Sequence, residues 1–392
     1  MPNTKFATIT EKPRGGAVNI YFSASDHNAC AYYRMELPHR LLVRKRLAVG
    51  TLGFINDPLL QTNMEDLCVI QRQYSPHVFK IMERKRSLGI RIVGDVDDNM
   101  WALKPDNPAY TVFNGGTVRQ KEQGARASGQ LRPEQHFIQP GAVLADFFRY
   151  CDAVTVPTEP LAVVLRKYNR NTWVVPNWLD DSVLTSYPKP LAPDKKIRIL
   201  WTGSDSHRDE LIPSFTAIRR LLDEDSRIVF CYVGYPHPIL DTFPRDRVDF
   251  YPPTQFVPQY YWLLSKIPAQ IAIAPLDDSM FARSKSWIKA LEYGLFGYFP
   301  VLQDSPPYRA LSDLGLADLP MWVKANTEEI WYRSLRSAVA DVGQCLQRAE
   351  RYQEGILAQC LISQNIQRWL KCYTKVLGSP STKTPRPRYY QV

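Results

Sequence analysis

Residues 270–309 read QIAIAPLDDSMFARSKSWIKALEYGLFGYFPVLQDSPPYR. An apolar run ends at Ala274-Pro275-Leu276, and a loop with Asp277 and Asp278 follows. A helical pattern then opens with Arg283, Lys285 and Ser286 and carries Glu292 about two turns later. A second apolar run, Tyr298–Leu302, completes a strand–loop–helix–strand unit. Such a unit belongs to a parallel sheet, and its loop and helix start lie at the carboxyl edge, where α/β proteins bind phosphorylated ligands. Arg283 and Lys285 are placed to neutralise a departing diphosphate, and Glu292 to hold sugar hydroxyls. The stretch predicts a cradle for a nucleotide sugar.

The same alternation extends to both sides. Before it, strands are expected at 197–202, 228–233 and 247–251, with helices at 207–222 and 258–265. The stretch itself supplies strands at 270–275 and 298–302 and one helix over 284–295. Downstream, from about 327 to 376, the pattern is helical. Upstream, strands are expected at 17–23, 67–72, 90–95, 153–157 and 172–176, with helices at 32–48, 78–88, 142–150 and 160–168. Strands alternating with helices predict doubly wound parallel sheets. A Pro- and Asp-rich segment, 178–196, separates the two series. Residues 111–139, rich in Gly, Gln and Arg, are long for a connection between elements. Residues 378–392 form a basic, Pro-containing tail.

The 392 residues suit two domains, and 45% hydrophobic with 22% charged residues is a globular composition. No apolar run reaches the roughly 20 residues that span a bilayer. The N-terminus lacks the apolar core of a secretory signal. Seven cysteines without a CxxC pair predict reduced thiols in a cytoplasmic protein and argue against a zinc site. The net charge of +10 fits a solvated basic surface or an anionic partner.

Three further segments carry candidate chemistry. After strand 197–202, Gly203-Ser204 turns toward a helix beginning near Ser206-His207-Arg208, which suits an anion at a helix start; the alternative is an ordinary strand–helix turn with Ser206 as cap. Strand 90–95 empties into Asp95, Asp97 and Asp98, a set that resembles a metal or acid–base cluster, while Asp98 also suits a helix cap. The loop after the first strand holds His27, and Tyr33-Arg34 follows it.

Taken in order, Pro275, Leu276, Phe281, Lys285, Ser286, Lys289, Glu292 and Tyr293 resemble the donor site of GT-B glycosyltransferases of family 4. Ala282 stands where that family often has Asn, and Ser284 stands where many members carry the first Glu of a Glu-x7-Glu pair. The Gly203-Ser204-x-x-His207 turn, the Asp-x-Asp-Asp of 95–98, the Tyr33-Arg34-x-x-x-Pro38 pattern and Asn177 after Pro176 are similar to family features in the same order. The resemblance implies two Rossmann-like domains facing a cleft, 1–177 and 197–355, joined by linker 178–196. It also implies a helix, 356–377, that crosses back to the first domain.

The activity it implies is transfer of a sugar from a nucleoside-diphosphate sugar to an acceptor hydroxyl with retention, without a resident cofactor or metal. Gly203, Ser204, His207, Arg208, Arg283, Lys285, Ser286 and Glu292 then bind the donor. Asp97, Asp98 and His27 are the catalytic candidates, with Arg34 and Asp277 contacting sugar or acceptor.

The acceptor is left open. A glycan or lipid-linked saccharide fits the family, with the basic helix carrying Lys80, Arg84, Lys85, Arg86 and Arg91 on an anionic membrane surface. DNA bearing hydroxymethylated bases suits the Arg/Gln-rich insert and the basic tail. A non-catalytic nucleotide-sugar-binding protein is the third alternative.

Overall fold

The computed structural model describes residues 18–55, 57–75, 77–105, 107, 109–111, 113, 139–182, 195–204 and 209–380. Most of the 111–139 insert, of the linker and of the tail lies outside these residues. Among the described residues, twelve strands form two six-stranded sheets, each parallel throughout.

The first sheet contains β1 (Val18–Ala24), β2 (Ala48–Phe54), β3 (Leu67–Gln71), β4 (Arg91–Asp95), β5 (Ala153–Val156) and β6 (Thr172–Val174), in the order β2-β1-β3-β4-β5-β6. The second contains β7 (Ile197–Thr202), β8 (Ile228–Val233), β9 (Val248–Tyr251), β10 (Ile271–Ala274), β11 (Phe299–Gln303) and β12 (Met321–Val323), in the order β12-β11-β10-β7-β8-β9.

Central strands of such sheets are covered by helices on both faces and so read as unbroken apolar runs. IVFCYV of β8, IAIA of β10 and AVTV of β5 are buried at every position. Two strands were not anticipated. In β2 (AVGTLGF), Gly50 and Gly53 dilute the strand signal, and β12 is only three residues long. Both are edge strands.

The helix expected over 284–295 is two helices, Met280–Arg283 and Ile288–Leu295. Serines make the break. Ser284 Oγ donates to the Met280 carbonyl at 2.8 Å, and Ser286 Oγ accepts the Ile288 N–H at 3.3 Å, local bonds that compete with a continuous helix.

The chain's last helices return to the first sheet. Trp369 and Tyr373 of helix Gln367–Leu377 pack in one core with Ile20 and Phe22 of β1, and Leu179 pairs with Leu361.

Helix Ile288–Leu295 is fixed by helix Val342–Gln359 behind it. A Cβ at Gly294 would lie 2.6 Å from Tyr352 Cε1 and 2.7 Å from Ile356 Cγ1, so the two backbones meet where no side chain fits. Tyr352 also donates to the Ala290 carbonyl at 3.2 Å, and Gln353 Nε2 donates to the Leu295 carbonyl at 2.7 Å. Gly294→Ala should therefore cost about 1–3 kcal/mol of stability in urea denaturation. A loss below about 0.5 kcal/mol would show that the helices separate freely there.

Candidate active site

The chain leaves β7 for β8 and β9 on one side and returns to β10 on the other. β1 likewise lies between β2 and β3. These are the points where strand order reverses, and the crevices beyond their carboxyl ends are where open α/β sheets take ligands. Gly203 and Ser204 leave β7, and Pro275–Ser279 leave β10, its hydrogen-bonded neighbour. Gly203 donates its N–H to the Val233 carbonyl at 3.0 Å. A Cβ there would lie 2.4 Å from the Trp201 ring, so packing alone demands glycine. Ser204 is exposed beside it. Glu210 ties the two loops together: its Oε2 accepts the Asp277 N–H at 3.4 Å, and its charge acts on both Lys285 and Lys289.

Across from this edge, the first lobe presents the ends of β1, β3 and β4. Lys285 Nζ lies 3.2 Å from Asp98 Oδ1 and 4.3 Å from the Phe281 ring centre. Lys104 pairs with Asp277. Asn99 Nδ2 reaches Ser284 Oγ at 3.4 Å, and Thr158 Oγ1 donates to the Ser284 carbonyl at 2.9 Å. Tyr33 donates to Glu292 Oε1 at 2.5 Å and shares a hydrogen bond with Tyr261. Trp287 Nε1 donates to the Asn177 carbonyl at 2.8 Å. Donor-side and acceptor-side candidates thus meet at one seam.

The seam holds strongly perturbed charges. Burial pushes the Glu292 carboxyl up to about 7, against the pull of Tyr33, Lys289 and Tyr260. Burial pulls the Lys289 ammonium down to about 8, although Glu210 and Glu292 favour its charge. For Lys285, burial works the same way, but Asp98 and Glu210 outweigh it and hold the ammonium above its usual range. Burial and the neighbouring Asp98 push Asp97 up to about 6, with Arg72 opposing.

Cys30, Asp97 and Asp98 have potential ligand atoms within 4.8 Å of one another. Arg72 lies 3.4 Å from Asp97 and 2.9 Å from Asp26, and Lys285 pairs with Asp98, so both carboxylates of the cluster already face a cation, one of them shared.

Several expectations need correction. Arg34 does not face the cleft. It is fully buried, with its guanidinium on both Asp95 oxygens, the Val175 carbonyl and Asn177 Oδ1. Arg283 pairs with exposed Asp278 at 2.7 Å on the surface rather than joining Lys285. Ser286 holds the Ile288 backbone. His27 is exposed and packs on Phe54, with ring centres 4.4 Å apart. His207 and Arg208 lie outside the described residues.

The basic residues expected on one helix are also largely committed inward, and Arg91 lies on β4 instead. Lys85 is buried against Glu65, while Arg86 and Arg91 both reach Asp152, at 3.5 and 3.6 Å. Lys80 and Arg84 remain exposed. All seven cysteines are free thiols, and no helix among the described residues is long and apolar enough to cross a membrane.

The site partners Tyr260, Tyr261, Arg72 and Lys104 do not stand out in the sequence, and Tyr33, visible there in the Tyr33-Arg34-x-x-x-Pro38 pattern, has no role of its own assigned from it. Lys289 was visible in the Lys-Ser-x-x-Lys-x-x-Glu spacing but was not given a role.

No family model matches the chain, and no curated protein matches it in sequence. Solved structures do match in fold. Sucrose-phosphate synthase of Thermosynechococcus elongatus superposes with a TM-score of 0.61 at 10% identity, over 93% of this chain and 100% of that one. Anabaena HepE in complex with UDP and glucose gives 0.60 at 9% identity, over 91% and 100%. S. aureus TarM, in complex with fondaparinux, α-GlcNAc-glycerol and UDP, gives 0.53 at 11% identity, over 80% of this chain but 55% of TarM. The fold is the two-lobed GT-B arrangement.

Asp97 supplies a test of this electrostatic arrangement. Its carboxyl is raised in the folded chain, so folding retains a proton between about pH 4 and pH 6. The stability this contributes is complete below the ordinary Asp value of 3.8 and is lost as pH rises through about 6. Measured against Asp97→Asn by urea midpoints, wild type should lose on the order of 2 kcal/mol across that window. A relative gain with rising pH would contradict the burial of this group.

Proposed function

We propose that this chain is a glycosyltransferase that moves a sugar from a uridine-diphosphate sugar to an acceptor hydroxyl. The observation that carries this is the convergence of Lys285, Lys289 and Glu292 at the β7/β10 reversal point with Asp97 and Asp98 of the other lobe. HepE, of the same fold, binds UDP and UDP-glucose.

In this reading Lys285, with Lys289 behind it, faces the diphosphate. Negative charge grows on the β-phosphate as the glycosidic bond breaks, and a fixed cation in a half-buried cleft stabilises it more in the transition state than before. Glu292 grips the ribose. Asp97, its carboxyl pushed up to about 6 by burial and by Asp98 against the pull of Arg72, takes the acceptor proton or orients its hydroxyl. The family resemblance supplies retention at the anomeric carbon and a donor site without a metal ion. TarM, whose complex holds a glycan and UDP, favours a saccharide acceptor over DNA. The DNA alternative rests on the insert and tail, outside the described residues.

A thermal-shift series with UDP-, GDP-, ADP- and dTDP-sugars tests the donor. The correct one, at a hundredfold excess over its dissociation constant, should add roughly 2.7 kcal/mol of stability. Lys285→Ala should lower sugar-nucleotide turnover by about 10²–10³-fold. Stabilisation by none of the four would defeat the proposal. Binding with no turnover on any acceptor or water would leave a non-catalytic binding protein.

A further inference from the structure

We propose that Tyr33 is a positioning residue for the nucleotide: from the opposite lobe, its hydroxyl holds Glu292 as a two-pronged acceptor for the vicinal hydroxyls of a ribose. This rests on the donor reading above. Tyr33 is buried within a π-helical turn, Tyr32–Glu36, a geometry that recurs at functional sites because it re-aims side chains.

The hydrogen-bond chain fixes direction. Tyr33 has one proton and gives it to Glu292 Oε1, so its oxygen accepts from Tyr261, with which it is also bonded. Tyr260 donates to Glu292 Oε2 at 3.2 Å, and its own oxygen lies 2.8 Å from Thr202 Oγ1 at the end of β7. An ionised carboxylate has about four acceptor positions, two per oxygen. Tyr33 and Tyr260 take one on each. One is left on each oxygen, and a vicinal diol brings two O–H donors in matching geometry.

A protonated Glu292 would lose this fork, because one oxygen becomes a donor. The groups facing it are Tyr33 from the first lobe, Tyr260 and Tyr261 from helix Val257–Leu264, Lys289 and Tyr293 from its own helix, and Tyr308. Of these, Tyr33, Lys289 and Tyr260 oppose the burial that favours the neutral form. The Tyr33 hydroxyl therefore both aims the carboxylate and keeps it charged near neutral pH.

Calorimetric UDP binding by the full chain, from about pH 6 to pH 9, decides the matter. Wild-type affinity should fall as pH drops through about 7, and Glu292→Gln should reduce that fall to the part due to UDP's own terminal phosphate, which takes up a proton near pH 6. Tyr33→Phe should move the limb upward, leaving binding about tenfold weaker near pH 6, where one pKa unit is tenfold in the charged fraction, with the loss shrinking toward pH 9. UDP lacking both ribose hydroxyls should bind the two proteins alike. Difluorotyrosine at position 33, a more acidic phenol of nearly the same shape, should shift the limb downward, and it serves if Tyr33→Phe does not fold.

A loss of equal size with UDP and with UDP lacking both ribose hydroxyls, or no change with either variant, overturns the role of Tyr33 while leaving the donor site standing. Failure of wild type to bind any nucleoside diphosphate removes the donor site itself, and this role with it.

Discussion

The cleft-facing side of the first lobe depends on one buried guanidinium. Arg34 meets Asp95 through Nε, at 3.1 Å to both carboxylate oxygens, and through Nη2 at 2.6 Å. Its Nη1 reaches the Val175 carbonyl and Asn177, and the Trp369 ring lies 4.6 Å from its centre. Thr155 Oγ1 donates to the same Asp95 at 2.6 Å. Removing two charges from water costs several kcal/mol per ion, and that cost is offset only when nearly every donor and acceptor is satisfied. Here the partners come from the first helix, β4, β5, the exit from β6 and the last helix. Satisfying one cation therefore locks five elements into one arrangement. Tyr33 precedes Arg34, and Asp97 follows Asp95 by two residues, so both cleft groups inherit their position from this node.

The ion pairs across the cleft are of a different kind. Lys104–Asp277 and Lys285–Asp98 keep partial access to water. Pairs of that sort contribute on the order of 1 kcal/mol or less and are readily exchanged for another anion or cation. Rigidity is concentrated within the lobe, and exchangeability is concentrated at the seam. A site that must admit a charged ligand and then close over it needs that division.

The fold was legible because buried parallel strands write themselves as apolar runs. The two strands missed, β2 and β12, are edge strands whose glycines or brevity erase that signal. The donor loop was legible because its residues lie close together in sequence. Exposure was not legible: nothing local distinguishes Arg34, which is buried, from Arg283, which is on the surface, since partners such as Asp95 and Asn177 lie tens of residues away. Contributions from the other lobe were hidden for the same reason. Tyr33 and Glu292 are 259 positions apart, and only the closed topology brings them together.

Ser284 shows how a departure from a pattern can be structural in origin. Its side chain is fully buried, its Oγ is shared between Met280 and Asn99, and its carbonyl accepts from Thr158. A glutamate there would place a carboxylate, one methylene further out than the serine hydroxyl, inside the contact between the lobes, and the seam would open or the carboxylate would lie unpaired. The position that resembles a sugar-binding site in the motif is, in this chain, a lobe-to-lobe joint. Among the described residues, carboxylates around the seam include Asp277, Asp97 and Asp98, each already paired with a cation, and Glu210, whose charge acts on Lys285 and Lys289. Selectivity for the sugar would then arise from which of those pairs its hydroxyls separate, a contest between ion pairing and hydrogen bonding rather than the grip of an unpaired acid.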